Sequence, residues 1–417
     1  AGLGGLSLVR NAADRPPLDG NGSTTDRPST GSGHPRLEKV GHVLLTPNGG
    51  TSEVMIRADG KYGVVGTKFG DTGSYLVDLS TPSEPSVVHH LDEEGARKHD
   101  AKFDHRNGLY YLAVEGGTGS VHVVDYGYSD AASPENPRIV DRLSRGSVHN
   151  LYAHTAAPVL YTTNYDDDPE TVGFEVWDAS DPSNVEFVDA FGPSGYCHDI
   201  VVEDARDRLH VAYQTPRGYE GFVGYVMFDI SDPRAPEEIG RFDYREHPSY
   251  TDVEVGEPGF GYGHHADFDP RREVVIIGDE RLYGPPGGKH LLDVSDPSNI
   301  TAEAYTLSPN AKRMEPDVTE EKYDWTGHHF DFVPWGESTY IVSGDWHDGV
   351  VLYDVTDPSR IEAVDQYLTD DVSIDPNPTL AEYGEAPWTW NAAYDDTRRL
   401  VVANDQFTGL YVFELVG

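Results

Sequence analysis

Five histidines open five short apolar runs: His99-Asp-Ala-Lys-Phe-Asp104, His149-Asn-Leu-Tyr-Ala-His154, His198-Asp-Ile-Val-Val-Glu203, His264-His-Ala-Asp-Phe-Asp269 and His328-His-Phe-Asp-Phe-Val333. Only 18 of 417 residues are histidine, so a repeated position is a signal rather than a coincidence. Imidazole is the commonest protein ligand for transition metals, and imidazoles gathered at one centre ordinarily hold an ion. His99, His149, His198, His264 and His328 are therefore the candidate metal ligands. The residues that follow them are Asp100, Asn150, Asp199, His265 and His329. These could fix imidazole tautomers or act as further ligands. His347, in Gly344-Asp-Trp-His-Asp348, and His290 are additional candidates on the same face.

Something must bring these residues together, and a second ladder says what. Val77-Asp-Leu-Ser-Thr-Pro82, Trp177-Asp-Ala-Ser-Asp-Pro182, Phe228-Asp-Ile-Ser-Asp-Pro233, Leu292-Asp-Val-Ser-Asp-Pro297 and Tyr353-Asp-Val-Thr-Asp-Pro358 each end an alternating strand in a turn. The Asp and Ser side chains can bond nearby amides, and the proline stops the strand. Between the two ladders, period-two alternation gives four short strands per repeat. In the second repeat they fall near 99–104, 109–115, 119–126 and 138–143. Repeated four-stranded units with no helical periodicity predict an all-β, seven-bladed propeller. Its blades open near residues 53, 99, 149, 198, 264, 328 and 390. The last has three strands, so residues 36–45, which resemble a fourth strand, are expected to complete it and close the ring. The domain reading is thus 36–417 as propeller, with 1–35 as signal remnant and flexible tether.

The signature apolar-apolar-apolar-Asp-x-Ser-Asp-Pro resembles that of the LVIVD-repeat propellers, found in surface and secreted proteins of archaea and bacteria. The similarity covers almost the whole chain past residue 36. It implies the fold and leaves activity open, because propellers host many unrelated functions. In this fold the first strand of each blade lines a central channel, so the five histidines converge at its mouth. Long insertions at 244–262, 308–326 and 368–388 read as a lid bearing Tyr262, Trp325, Trp388 and Trp390. An imidazole-rich site suits copper or iron, with zinc as a third fit, and an open coordination position suits redox or Lewis-acid chemistry. The first functional reading is a metal-dependent oxidoreductase acting on a small molecule. The second is a non-catalytic cell-surface module that binds a partner or assembles with itself, its histidines forming a hydrogen-bonded structural ring. Gly263-His264 and Gly327-His328 also resemble the structural Gly-His pair of WD-type propellers.

Composition narrows the partners. The formal net charge is −41, carried along the whole chain, with 31 Lys and Arg against 72 Asp and Glu. Such acidity is typical of halophilic proteins, whose self-repulsion strong brine screens, and it disfavours nucleic acid. No apolar run is long enough to span a membrane. The apolar start, Ala1-Gly-Leu-Gly-Gly-Leu-Ser-Leu-Val9, reads as the tail of a secretory leader, which points to export to the cell surface or medium. Cys197 is the only cysteine and reads as a buried apolar residue. The chain has neither a Gly-x-Ser-x-Gly elbow nor a phosphate-binding glycine loop between strand and helix.

Overall fold

A computed structural model describes residues 33–70, 72–93, 95, 97–116, 120–163, 172–214, 221–246, 263–280, 287–311 and 326–417. Residues 1–32 of the tether, Tyr262 and Trp325 lie outside them. The described residues form seven antiparallel sheets of four strands each. Each sheet except the last runs in sequence order from an inner strand to an outer one. Inner strands contact one another around a closed circle, the seventh meeting the first. Among the described residues helix is confined to single turns such as Pro378–Ala381.

Ring closure follows the sequence expectation. Arg36–Val43 pairs with Gly409–Val416 and is the outer strand of the seventh sheet. Leu37 is fully buried among Leu415, Phe413 and Val401, and its amide donates to Asp365 of blade six at 2.7 Å. Gly41 abuts blade one so closely that a Cβ there would lie 2.0 Å from the Pro82 carbonyl oxygen. The core consists of apolar clusters between neighbouring blades, as alternating strands require.

The Asp-x-Ser-Asp-Pro turns are built as the side chains dictate. Asp293 accepts from the Ser295 amide at 2.9 Å, and Asp296 accepts from the Ser298 amide and hydroxyl at 3.0 and 2.6 Å. Blade six repeats this through Asp354–Thr356 and Asp357–Ser359. The turns fix strand register, and register fixes which residues reach the axis.

Candidate metal centre on the propeller axis

Strict alternation would send His264 and His265 to opposite sides of their strand. The structure brings both inward, because their strand opens with an irregularity in register, as do the inner strands of blades one, four and seven. In blade four Cys197 faces Tyr213 but Asp199 already faces Ala212, so His198 is an extra residue. His264 is extra in blade five, between Gly263 and His265, and Trp390 in blade seven, between Thr389 and Asn391. Such a bulge re-aims side chains. The result is two stacked tiers at the axis.

The first tier holds all five predicted histidines. Successive ring centroids are 4.2 Å apart for His99–His149, 4.6 Å for His149–His198, 4.0 Å for His198–His264 and 4.2 Å for His264–His328. Trp390 completes the circle, 4.1 Å from His328 and 5.4 Å from His99. Trp390 is therefore a member of the ring rather than of a lid. Trp388 is likewise buried, packed with Trp346, Phe69 and Leu380. His347 donates from Nδ1 to the Pro387 carbonyl beside Trp388, and His290 pairs with Asp279 at 2.6 Å within its own blade.

Among the described residues ligating atoms cluster in three groups, one of them, Asp199, His265 and His329, in a second tier. Those of His198, His264 and Glu280 lie within 4.8 Å of one another, as do those of His264, His328 and His329. Among the described residues, His99 and His149 enter no such group. Of the five predicted ligands, His264 belongs to both groups, while His198 and His328 each share one with it and none with each other. His149 instead faces Glu115 at 3.2 Å.

Hydrogen bonds orient this arc as they orient metal-binding imidazoles. His328 Nδ1 donates to the Trp390 carbonyl at 2.6 Å, which fixes the proton there and leaves Nε2 a lone pair. That Nε2 is buried and has no hydrogen-bond partner. His198 Nδ1 likewise donates to the His264 carbonyl at 3.0 Å. The Glu280 carboxylate spans the next gap, 3.6 Å from Nε2 of both His264 and His328. This is long for a hydrogen bond. It is about the ligand-to-ligand separation around an ion with bonds of about 2.0–2.2 Å.

Electrostatics agree. Burial, and then their neighbours, hold His99, His198 and His264 well below the ordinary histidine range, and His328 is pushed down to about 4. The arc is neutral imidazole, the ligating form. Burial raises the Glu280 carboxyl, but its neighbours, the ammonium of Lys68 among them, outweigh it and hold it below the usual carboxylate range. Burial also takes Lys68, 4.0 Å over Trp390, down to about 8.

The second tier is differently charged. Lys102 bridges Glu53 at 2.5 Å and Asp100 at 2.6 Å. His265 donates to Asp199 at 2.6 Å and to the Phe330 carbonyl at 3.0 Å. Burial lowers His265, but Asp199 overrides it and lifts it to about 9, so it is an imidazolium. Asp100, Asp199 and His265 are thus bound up in ion pairs. Asn150 and Asn391 lock neighbouring blades through backbone groups of His198 and Val54.

One prediction follows from the neutral histidines. His99, His122, His198, His210, His264 and His328 all have folded values below their unfolded one. A base depressed by folding contributes stability that is complete above its unfolded pKa, about 6.5, and is lost as pH falls toward its folded value. Denaturant titrations from pH 7 to 4 should therefore show stability falling by about 1.4 kcal/mol per pH unit for each histidine that must take up a proton. A flat profile would contradict buried neutral imidazoles.

No protein-family model matches the sequence, nor does any curated protein. Solved structures do. The WD40 repeats of RRP9 superpose with a TM-score of 0.56 at 10% identity, covering 92% of this chain and 98% of that one. The propeller domain of Myceliophteria thermophila Cps50 (Swd1) gives 0.55 at 11% identity, over 90% and 99%. The C-terminal WD40 domain of Sif2 gives 0.53 at 10%, over 91% and 99%. At such identities the likeness establishes the propeller fold.

Proposed function

We propose that the propeller is a metalloprotein whose axial arc of His198, His264, His328 and Glu280 holds one transition-metal ion, copper or iron. In this reading the centre serves an oxidoreductase acting on a small molecule. The observation that carries the reading is His328: a buried imidazole with its proton fixed on Nδ1 and a lone pair on Nε2 that meets no donor. A buried acceptor left unmade costs about 1–3 kcal/mol, and a metal ion is the partner that removes that cost. Three neutral nitrogens and one carboxylate supply a set that leaves room for an exogenous ligand. The reading is tested by elemental analysis and an absorption spectrum of protein purified without chelator. About one copper or iron per chain, with ligand-to-metal absorption, is expected. Metal-free protein that takes up neither ion on titration would remove the proposal.

The surface-module alternative gains less support. Leu44, Val87, Tyr128 and Val188, the exposed large apolar residues among those described, come from four different blades. We also infer a brine-adapted, LVIVD-type protein, on the repeat signature and the charge of −41. Its melting temperature should rise with added KCl as self-repulsion is screened. A fall would exclude that reading.

A further inference from the structure

Lys68 stands one residue past the second strand of blade one, as Glu280 stands in blade five. Thr67 pairs with Lys98, the residue before His99, so Lys68 emerges at the end of the channel where the first tier lies. Its ammonium sits 4.0 Å over the ring of Trp390, a member of that tier. In this chain 72 acidic residues stand against 31 Lys and Arg. Among the described residues, nevertheless, the Lys68 ammonium makes neither a hydrogen bond nor an ion pair. The two nearest carboxylates are engaged elsewhere. Glu115 meets Arg97 at 3.4 Å and His149 at 3.2 Å, and Glu280 faces His264 and His328.

A second observation concerns the neighbours of this ammonium. Trp390 and Trp346 stack with ring centroids 6.1 Å apart, and the indole N–H of each is buried without an acceptor. Gln406 holds the corresponding position past the second strand of blade seven, fully buried, with neither side-chain amide atom partnered. Gly50 ties it to Lys68: the Gly50 amide donates to the Gln406 carbonyl at 2.6 Å, and the Gly50 carbonyl accepts from the Lys68 amide at 2.7 Å. Donors thus collect at the mouth without acceptors to match. Buried donors left unmade are costly, and a ligand that brings acceptors removes the cost. A divalent ion in the arc would add more positive charge than Glu280 cancels. What this end of the channel lacks is an anion.

We propose, as a step that rests on the metal reading of the arc, that the channel mouth takes a small monoanionic substrate whose charged head is held by the Lys68 ammonium. In the test, wild type and Lys68→Met are loaded with the metal, copper or iron, that wild type takes up, and the metal content of each is measured. Each full chain is then titrated spectroscopically with sodium azide and with imidazole at one fixed KCl concentration. Azide is a small monoanion and imidazole a neutral ligand, so the pair separates charge recognition from an open coordination position.

Azide affinity should fall at least about tenfold in Lys68→Met, because a charge-assisted hydrogen bond is lost. Imidazole affinity should change by less than about threefold. Methionine keeps the apolar stem over Trp390 and removes a charge that no partner requires; Lys68→Gln serves if that variant does not fold. Chains that take up neither copper nor iron would remove the metal reading and the anion site together. Equal metal content with equal azide affinity, an equal loss of azide and imidazole, or no azide binding by wild type would overturn the anion site alone.

Discussion

Glu280→Gln and His328→Ala will each lower affinity for the axial metal by about a hundredfold or more, because changes to outer-shell partners alone already cost about 10–100-fold. The first substitution is the more telling. It preserves volume and removes only the charge that sits 3.6 Å from two imidazole nitrogens. An ion that binds only the folded state stabilises it by RT ln(1 + [L]/Kd), about 2.7 kcal/mol at a hundredfold excess over Kd. At that same metal concentration a hundredfold weaker variant would keep about 0.4 kcal/mol. Melting curves with and without metal should therefore separate in wild type and nearly coincide in Glu280→Gln. His328→Ala also leaves the Trp390 carbonyl without its donor, so its metal-free form should lose about 1–3 kcal/mol. Equal metal-induced shifts in wild type and Glu280→Gln would show that the carboxylate is no ligand.

Removing residues 33–43 is expected to abolish cooperative unfolding altogether. The deletion strips the seventh sheet of its outer strand, exposes the ladder of Gly409–Val416 and uncovers the cluster around Phe413 and Leu415. It also cuts the Leu37–Asp365 bond that ties blade seven to blade six. An unpaired apolar edge is an invitation to aggregate. Leu37→Ala is the graded version. Deleting a fully buried leucine side chain costs about 2–5 kcal/mol, read as a lower denaturant midpoint at unchanged slope. A truncated chain that still melts in one transition near the wild-type temperature would show that the ring holds without its clasp.

Much of the fold was legible because it is written in local chemistry. Asp, Ser and Pro at fixed offsets make turns wherever they occur, so Leu292–Pro297 and Tyr353–Pro358 announced equivalent strands before any coordinates. The closing strand was legible for the same reason, by likeness of Pro35–Val40 to Pro137–Arg142. The centre was legible only in part. The histidine ladder gave the first tier, with His265 and His329 beside it as further candidates, but the extra residue that re-aims the inner strands of blades four, five and seven leaves no mark in composition. Glu280 was missed. It lies one residue past a second strand, as Lys68 does in blade one, with Glu115 two past the strand in blade two, and aligning those strand ends would have exposed it. Trp390 was read as a loop aromatic for want of a histidine in its slot.

The pairing of Arg36 with Val416 has a consequence in time as well as space. During synthesis the strand that clasps the circle emerges before every other strand of the propeller, yet its partner emerges after them all. For the whole interval between them the early segment must wait unmatched, while six complete sheets assemble beside it. Capture of the proposed axial ion, which would need several blades side by side, would then be a late event, and an apoprotein pool should be most apparent among newly made chains.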